Sequence, residues 1–131
     1  MLADTNFLLR ALEAGESEHN LRARERISAL RDKGEKAEIL PSTVLELVYV
    51  LESKKLGYGW PANKIAEAVT ALVEEPATNV HEEVISLAAG LYLKHHCDFH
   101  DCYLAAFAKR KHAKVLSFES DLQKLGVGAK P

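Results

Sequence analysis

The sequence predicts an α/β fold, a three-layer α/β/α sandwich on a short central parallel sheet. Two observations carry that expectation. Short β-favouring runs alternate with longer stretches of helical spacing along the 131 residues, and strands separated by helices pair in parallel with helices covering both faces. At 47% hydrophobic and 27% charged residues the chain has apolar material for one core and is too short for two ordinary domains, so a single domain over residues 1–131 is expected.

Leu2-Ala3 reads as a clipped first strand, and Thr5 to Glu13 as a helix with Phe7, Leu8, Leu9 and Leu12 on its apolar side, ended near Gly15. A charged helix follows from His19 to Lys33 and stops at Gly34. Glu38-Ile39-Leu40 is the second strand, and Pro41-Ser42-Thr43 opens a helix that runs to about Lys55. The glycines and proline of Leu56 to Pro61 make a turn, and helical spacing resumes from Lys64 to Val73, up to Pro76. Thr78-Asn79-Val80 is a weak strand, followed by helices over Glu82 to His95 and Phe99 to His112. Lys114 to Phe118 is the clearest strand, Ser120 to Leu125 a short helix, and Gly126-Val127-Gly128 a candidate edge strand.

Glu46 is the residue that points to chemistry. It is a lone carboxylate in the apolar run Val44 to Leu51, and a helix apolar nearly all round is expected to be buried, where an unpartnered charge costs several kcal/mol. Asp4, Asp101 and Glu119 each stand where an apolar stretch gives way to a helix start. In right-handed β-α-β units those starts share the carboxyl edge of the sheet, with Glu46 in the first turn after the second strand, so four acids are expected on one rim. Unscreened, they would raise one another's pKa values; a hard divalent cation, Mg2+ or Mn2+, removes that penalty. Each acid also has a local reading. Asp4 or Thr5, the pair Thr43 and Glu46, the pair Asp98 and Asp101, and Ser117 or Glu119 all suit helix capping. Capping alone does not require an acid at every such junction.

Other function classes find less support. A net charge of −2 argues against holding nucleic acid by bulk electrostatics, so any RNA contact is local. No apolar run reaches membrane-spanning length, and Met1 to Asp4 meets a charge too early for a secretory leader, so a cytoplasmic protein without membrane contact is expected. Cys97 and Cys102 read as reduced, buried thiols, and the cluster His95 to Cys102 fits none of the usual zinc spacings. There is no phosphate-binding glycine loop and no lysine at the end of the Lys114 to Phe118 strand of the kind a receiver domain uses. Lys109-Arg110-Lys111-His112 reads as a solvated helix end. Arg10 and the series Arg22, Arg24, Arg26 are better RNA candidates, although a charged outer face explains the series equally well.

Four segments together resemble a known family: Asp4-Thr5-Asn6-Phe7-Leu8-Leu9-Arg10, Ser42 to Leu51, Asp98-Phe99-His100-Asp101-Cys102-Tyr103-Leu104-Ala105-Ala106, and Leu116-Ser117-Phe118-Glu119-Ser120-Asp121-Leu122. They are similar, in the same order, to the four motifs of PIN-domain ribonucleases, in particular the VapC toxins of toxin-antitoxin pairs. The resemblance implies a metal-dependent endoribonuclease with Asp4, Glu46 and Asp101 as the main metal-binding acids and Glu119 as the supplementary one. It also implies polar support from Asn6 and Ser117, an RNA substrate, a small antitoxin partner and a homodimer. The family's fourth acid is usually an aspartate after a Thr-Phe pair; here Glu119 follows Ser117-Phe118, with Asp121 a nearby substitute. A non-cutting PIN-fold module that binds RNA or protein is the alternative.

Overall fold

Helices dominate the computed structural model, which describes residues 1–80 and 82–131. In chain order the elements are α1 (Thr5–Leu12), α2 (Glu18–Lys33), β1 (Ala37–Glu38), α3 (Pro41–Glu52), α4 (Ala62–Glu74) and β2 (Thr78–Asn79). They continue with α5 (Glu82–His95), α6 (Phe99–Lys111), β3 (Val115–Leu116), α7 (Ser120–Lys124) and β4 (Gly128–Ala129). Every expected helix is present, because their ends are written in local chemistry. Gly34 closes α2 at φ 69°, Pro41 supplies the first residue of α3, and Ser17 opens α2 in a reciprocal cap with Asn20.

The strands are shorter than their sequence signals. β1 pairs in parallel with β2, Ala37 opposite Thr78, and β3 pairs in parallel with β4, Val115 opposite Gly128. Leu2 adds one parallel bridge to Glu38, and the Ala3 N–H donates to the Glu38 carbonyl at 2.9 Å. The α/β class and the parallel pairing are therefore present. Among the described residues, however, the ladders form two separate two-stranded sheets. Strand extent depends on a partner rather than on composition, so the strand expected at Glu38 to Leu40 lies instead at Ala37–Glu38, and Lys114 to Phe118 contracts to Val115–Leu116. Helical cover is also uneven. Ala37 and Ile39 are buried, while Leu116 and Phe118 remain 76% and 92% exposed.

One buried cluster runs from Ala3 to Val127 and draws on most of the elements. Leu8, Leu47, Leu51, Ile65 and Ile85 are among its fully buried side chains, each contributing about 1.5–3 kcal/mol through removal from water. In α3 the buried residues are Val44, Leu47, Val48 and Leu51, an i, i+3, i+4, i+7 stripe. Glu46 and Tyr49 fall on the opposite side and are exposed. The expectation that Glu46 is a buried charge is thus overturned: the apolar run is one-sided in space, and Glu46 already has water. Tyr92 of α5 packs edge-on against Phe99 of α6 at 5.3 Å between ring centres, and its hydroxyl donates to Glu52 of α3 at 2.8 Å. That junction joins three helices near the start of α6. Among the described residues, no helix is long and apolar enough to cross a membrane.

Candidate functional site

Asp101 stands in the first turn of α6, and Asp98 caps that helix. The Asp98 carboxylate accepts the His100 N–H at 2.9 Å and the Asp101 N–H at 3.4 Å, which leaves the Asp101 carboxyl outside the capping role. Burial, followed by the Asp98 charge, holds the half-buried Asp101 above the usual carboxylate range; Asp121 and Glu119 push the same way, and His100 opposes them. Three acids from the starts of α6 and α7 are therefore close enough to load a fourth. Ligand atoms of Asp98, His100 and Asp101 lie within 4.8 Å of one another. In the sequence His100 stands out only within the His95 to Cys102 cluster, whose spacing fits no usual zinc pattern; in the fold it joins the two aspartates at the start of α6.

Glu119 occupies the capping position of α7 but makes no side-chain cap bond, so its exposed carboxylate is uncommitted by that local role. Its own N–H donates to Ser117 Oγ at 2.9 Å, while the Ser117 N–H reaches the Ala129 carbonyl of β4 at 3.1 Å. Ser117 thus anchors the turn that presents Glu119. Asp121, in the first turn of α7, is half-buried and lies 3.6 Å from Lys124.

Asp4 fulfils its capping reading. Its Oδ1 accepts the Phe7 N–H at 2.9 Å, and it remains exposed directly after the strand bridge at Leu2. Asp4 and Asn6 line a cleft of about 500 Å³ that also receives Arg10, His19, Arg22 and Arg26. Arg10 is half-buried and sits 3.5 Å from Glu13. Glu46 is the sixth residue of α3, in its second turn rather than its first, and the capping pair with Thr43 does not form because α3 starts at Pro41. Glu46 makes no side-chain hydrogen bond or ion pair among the described residues; its helix packs against both α1 and α6. The structure thus brings Asp98, Asp101, Glu119 and Asp121 together, and places Asp4 with Asn6 and Arg10.

The donor set is carboxylate oxygen with one imidazole. Both cysteines lie outside it as buried free thiols, and burial raises Cys97 and pushes Cys102 up to about 12. A hard divalent cation fits oxygen ligands carrying unscreened like charge.

Residues 1–128 match the family model described as PIN domain. The chain is also similar to a VapC ribonuclease of Aquifex aeolicus (strain VF5), with 35% identity over 127 residues that span 95% of this chain and 91% of that relative.

Proposed function

This chain belongs to the PIN-domain family, and from that premise we propose that it is an Mg2+- or Mn2+-dependent endoribonuclease acting as the toxin of a VapBC-type pair. The observation that carries the reading is the start of α6, where ligand atoms of Asp98, His100 and Asp101 lie within 4.8 Å of one another and burial and the neighbouring acids Asp98, Asp121 and Glu119 raise the Asp101 carboxyl. Of these acids Asp121 meets Lys124, on the surface at 3.6 Å, whereas Asp101 and Glu119 meet no lysine or arginine among the described residues, and like charges left facing one another suit a cation.

Asp4, Glu46 and Asp101 would hold the ion, with Glu119 as the fourth acid. The inclusion of Asp4 and Glu46 is supported by topology: Asp4 opens α1, and α3 packs against both α1 and α6. When bound, a divalent ion lowers the pKa of a coordinated water and neutralises charge on the departing oxygen of a phosphodiester. The chain itself orients and positions. Asp98 fixes the first turn of α6, Ser117 fixes the turn before Glu119, and Asn6 offers a neutral amide in the cleft beside Asp4.

The wider reading follows the family. It treats residues 1–131 as one domain, supported by the continuous core, and the two parallel ladders as parts of one short sheet between helical layers. A small antitoxin that covers the acidic rim, a homodimer and a cytoplasmic location complete it, on the strength of similarity to the VapC relative.

The test is cleavage of total RNA and of tRNA and rRNA fragments by purified protein, with Mg2+, with EDTA, and with the Asp101→Asn variant. Discrete cuts by the wild type with metal alone are expected. Cuts that persist in EDTA or in the variant would remove the metal reading, and Mg2+ binding without cuts would favour the non-cutting module.

A further inference from the structure

The arginines of α2 do not act alike. Arg24 donates from both terminal nitrogens to the backbone, to the Glu13 and Gly15 carbonyls at 2.8 Å each, and so ties α2 to the α1–α2 loop. Arg22 and Arg26 are one helical turn apart on another side and line the cleft that opens at Asp4, together with His19 and with Arg10 of α1. Among the described residues Arg22 meets a carboxylate only at 3.6 Å, from the similarly exposed Glu18, a pairing of little worth in water. Arg26 reaches only the Met1 thioether, at 3.6 Å, among the described residues. Three guanidinium groups, Arg10, Arg22 and Arg26, thus line one cleft with Asp4 on a chain whose overall charge is −2.

The cleft continues into an apolar recess of about 340 Å³ that shares Asp4, Phe7 and Arg26 with it and adds Leu2 and Leu30. Alternating charge and apolar surface is the pattern of a single strand, with phosphates on one side and bases on the other. Guanidinium groups suit phosphate because their planar fork donates two parallel hydrogen bonds.

We infer that Arg10, Arg22 and Arg26 form a phosphate track that holds the backbone of single-stranded RNA as it leaves the acidic site past Asp4. The inference rests on the RNA reading proposed above and adds where the strand runs. Arg24 has no part in the track.

The experiment measures anisotropy of a short fluorescein-labelled single-stranded RNA bound by the full chain in EDTA, where cutting is excluded, over a range of salt. Arg22→Gln with Arg26→Gln should weaken binding by about ten-fold and reduce the salt slope by about 1.4, roughly 0.7 for each phosphate no longer neutralised. Lys109→Gln with Lys111→Gln, the same change in charge at the far end of α6, should leave both quantities unaltered. Arg24→Gln should lower the melting temperature without changing the affinity of the folded protein. Equal weakening in the two double variants would reduce the track to bulk charge. Unchanged binding in the Arg22 and Arg26 double variant would overturn the track and leave the cleft to an acidic protein segment. RNA that is held through these arginines but never cut with Mg2+ keeps the track and removes the nuclease; RNA cut by that double variant with unaltered KM does the reverse.

Discussion

Asp98 both supports and opposes Asp101. Its carboxylate accepts the Asp101 N–H at 3.4 Å and so sets the first turn of α6, while its charge, second to burial, holds the Asp101 carboxyl above the usual range. The folded state therefore binds a proton at Asp101 more readily than the unfolded chain does. The stability contributed by this residue is full below the ordinary carboxylate pKa and is lost as pH rises through the raised folded value. In metal-free buffer, Asp101→Asn should raise the melting temperature at neutral pH, and the gain should vanish in acid. A calorimetric scan of both proteins at two pH values checks it; a lower melting temperature for the variant at neutral pH would contradict the assignment.

The cap itself is separable from the charge. Asp98→Ala should cost about 1 kcal/mol because two N–H groups lose their acceptor, whereas Asp98→Asn keeps an acceptor and should cost no more than about 0.5 kcal/mol. Urea unfolding of the two variants distinguishes them, and equal losses would mean that the charge rather than the cap matters.

Helices and their ends were largely legible in the sequence, because glycine at 34, proline at 41 and the apolar spacing of 44, 47, 48 and 51 act through neighbouring residues. The strands were legible in kind but not in extent, since pairing of Ala37 with Thr78 or Val115 with Gly128 is decided by distant chain. Glu46 misled for a related reason: a run of apolar letters hides which side of a helix each occupies. At the candidate site the acids stood out by their positions at helix starts, while the grouping of His100 with Asp98 and Asp101 depends on how the first turn of α6 is capped, and the division between Arg24 and its neighbours on where α1, α2 and their loop meet. The Ser17 and Asn20 cap was missed as well. Asn20 is buried because its amide also donates to the Arg10 carbonyl, ten residues away, at 2.8 Å.

Far from the acids, Arg31 of α2 grips Glu75 after α4 with two bonds of 3.0 and 2.9 Å. Those bonds, with the Ala77 N–H, hold Glu75 below the usual carboxylate range against the opposing effect of burial. A depressed folded pKa contributes stability above the unfolded value and loses it as pH falls through the folded one. Glu75→Gln should accordingly lower the melting temperature at neutral pH and leave it nearly unchanged in strong acid. A difference that persists at acid pH would show that packing, not charge, is at stake.

Reaction with a thiol reagent reports on the core. Because burial first of all pushes Cys102 up to about 12 and raises Cys97 as well, the folded protein should release no colour with Ellman's reagent at mildly alkaline pH and should titrate both thiols in urea. Rapid reaction of either thiol without denaturant would mean that the packing of α6 against α5 is loose.

The measurement that bears most directly on the proposed centre is Mn2+ binding, followed by calorimetry or by loss of the free-ion resonance, in the wild type and in Asp4→Asn, Glu46→Gln, Asp101→Asn and Glu119→Gln. If the acids of α1, α3, α6 and the turn before α7 share one ion, each substitution weakens binding, with Asp101→Asn among the strongest. Wild-type binding in both Asp4→Asn and Glu46→Gln would confine the site to the α6–α7 acids and contradict the shared centre.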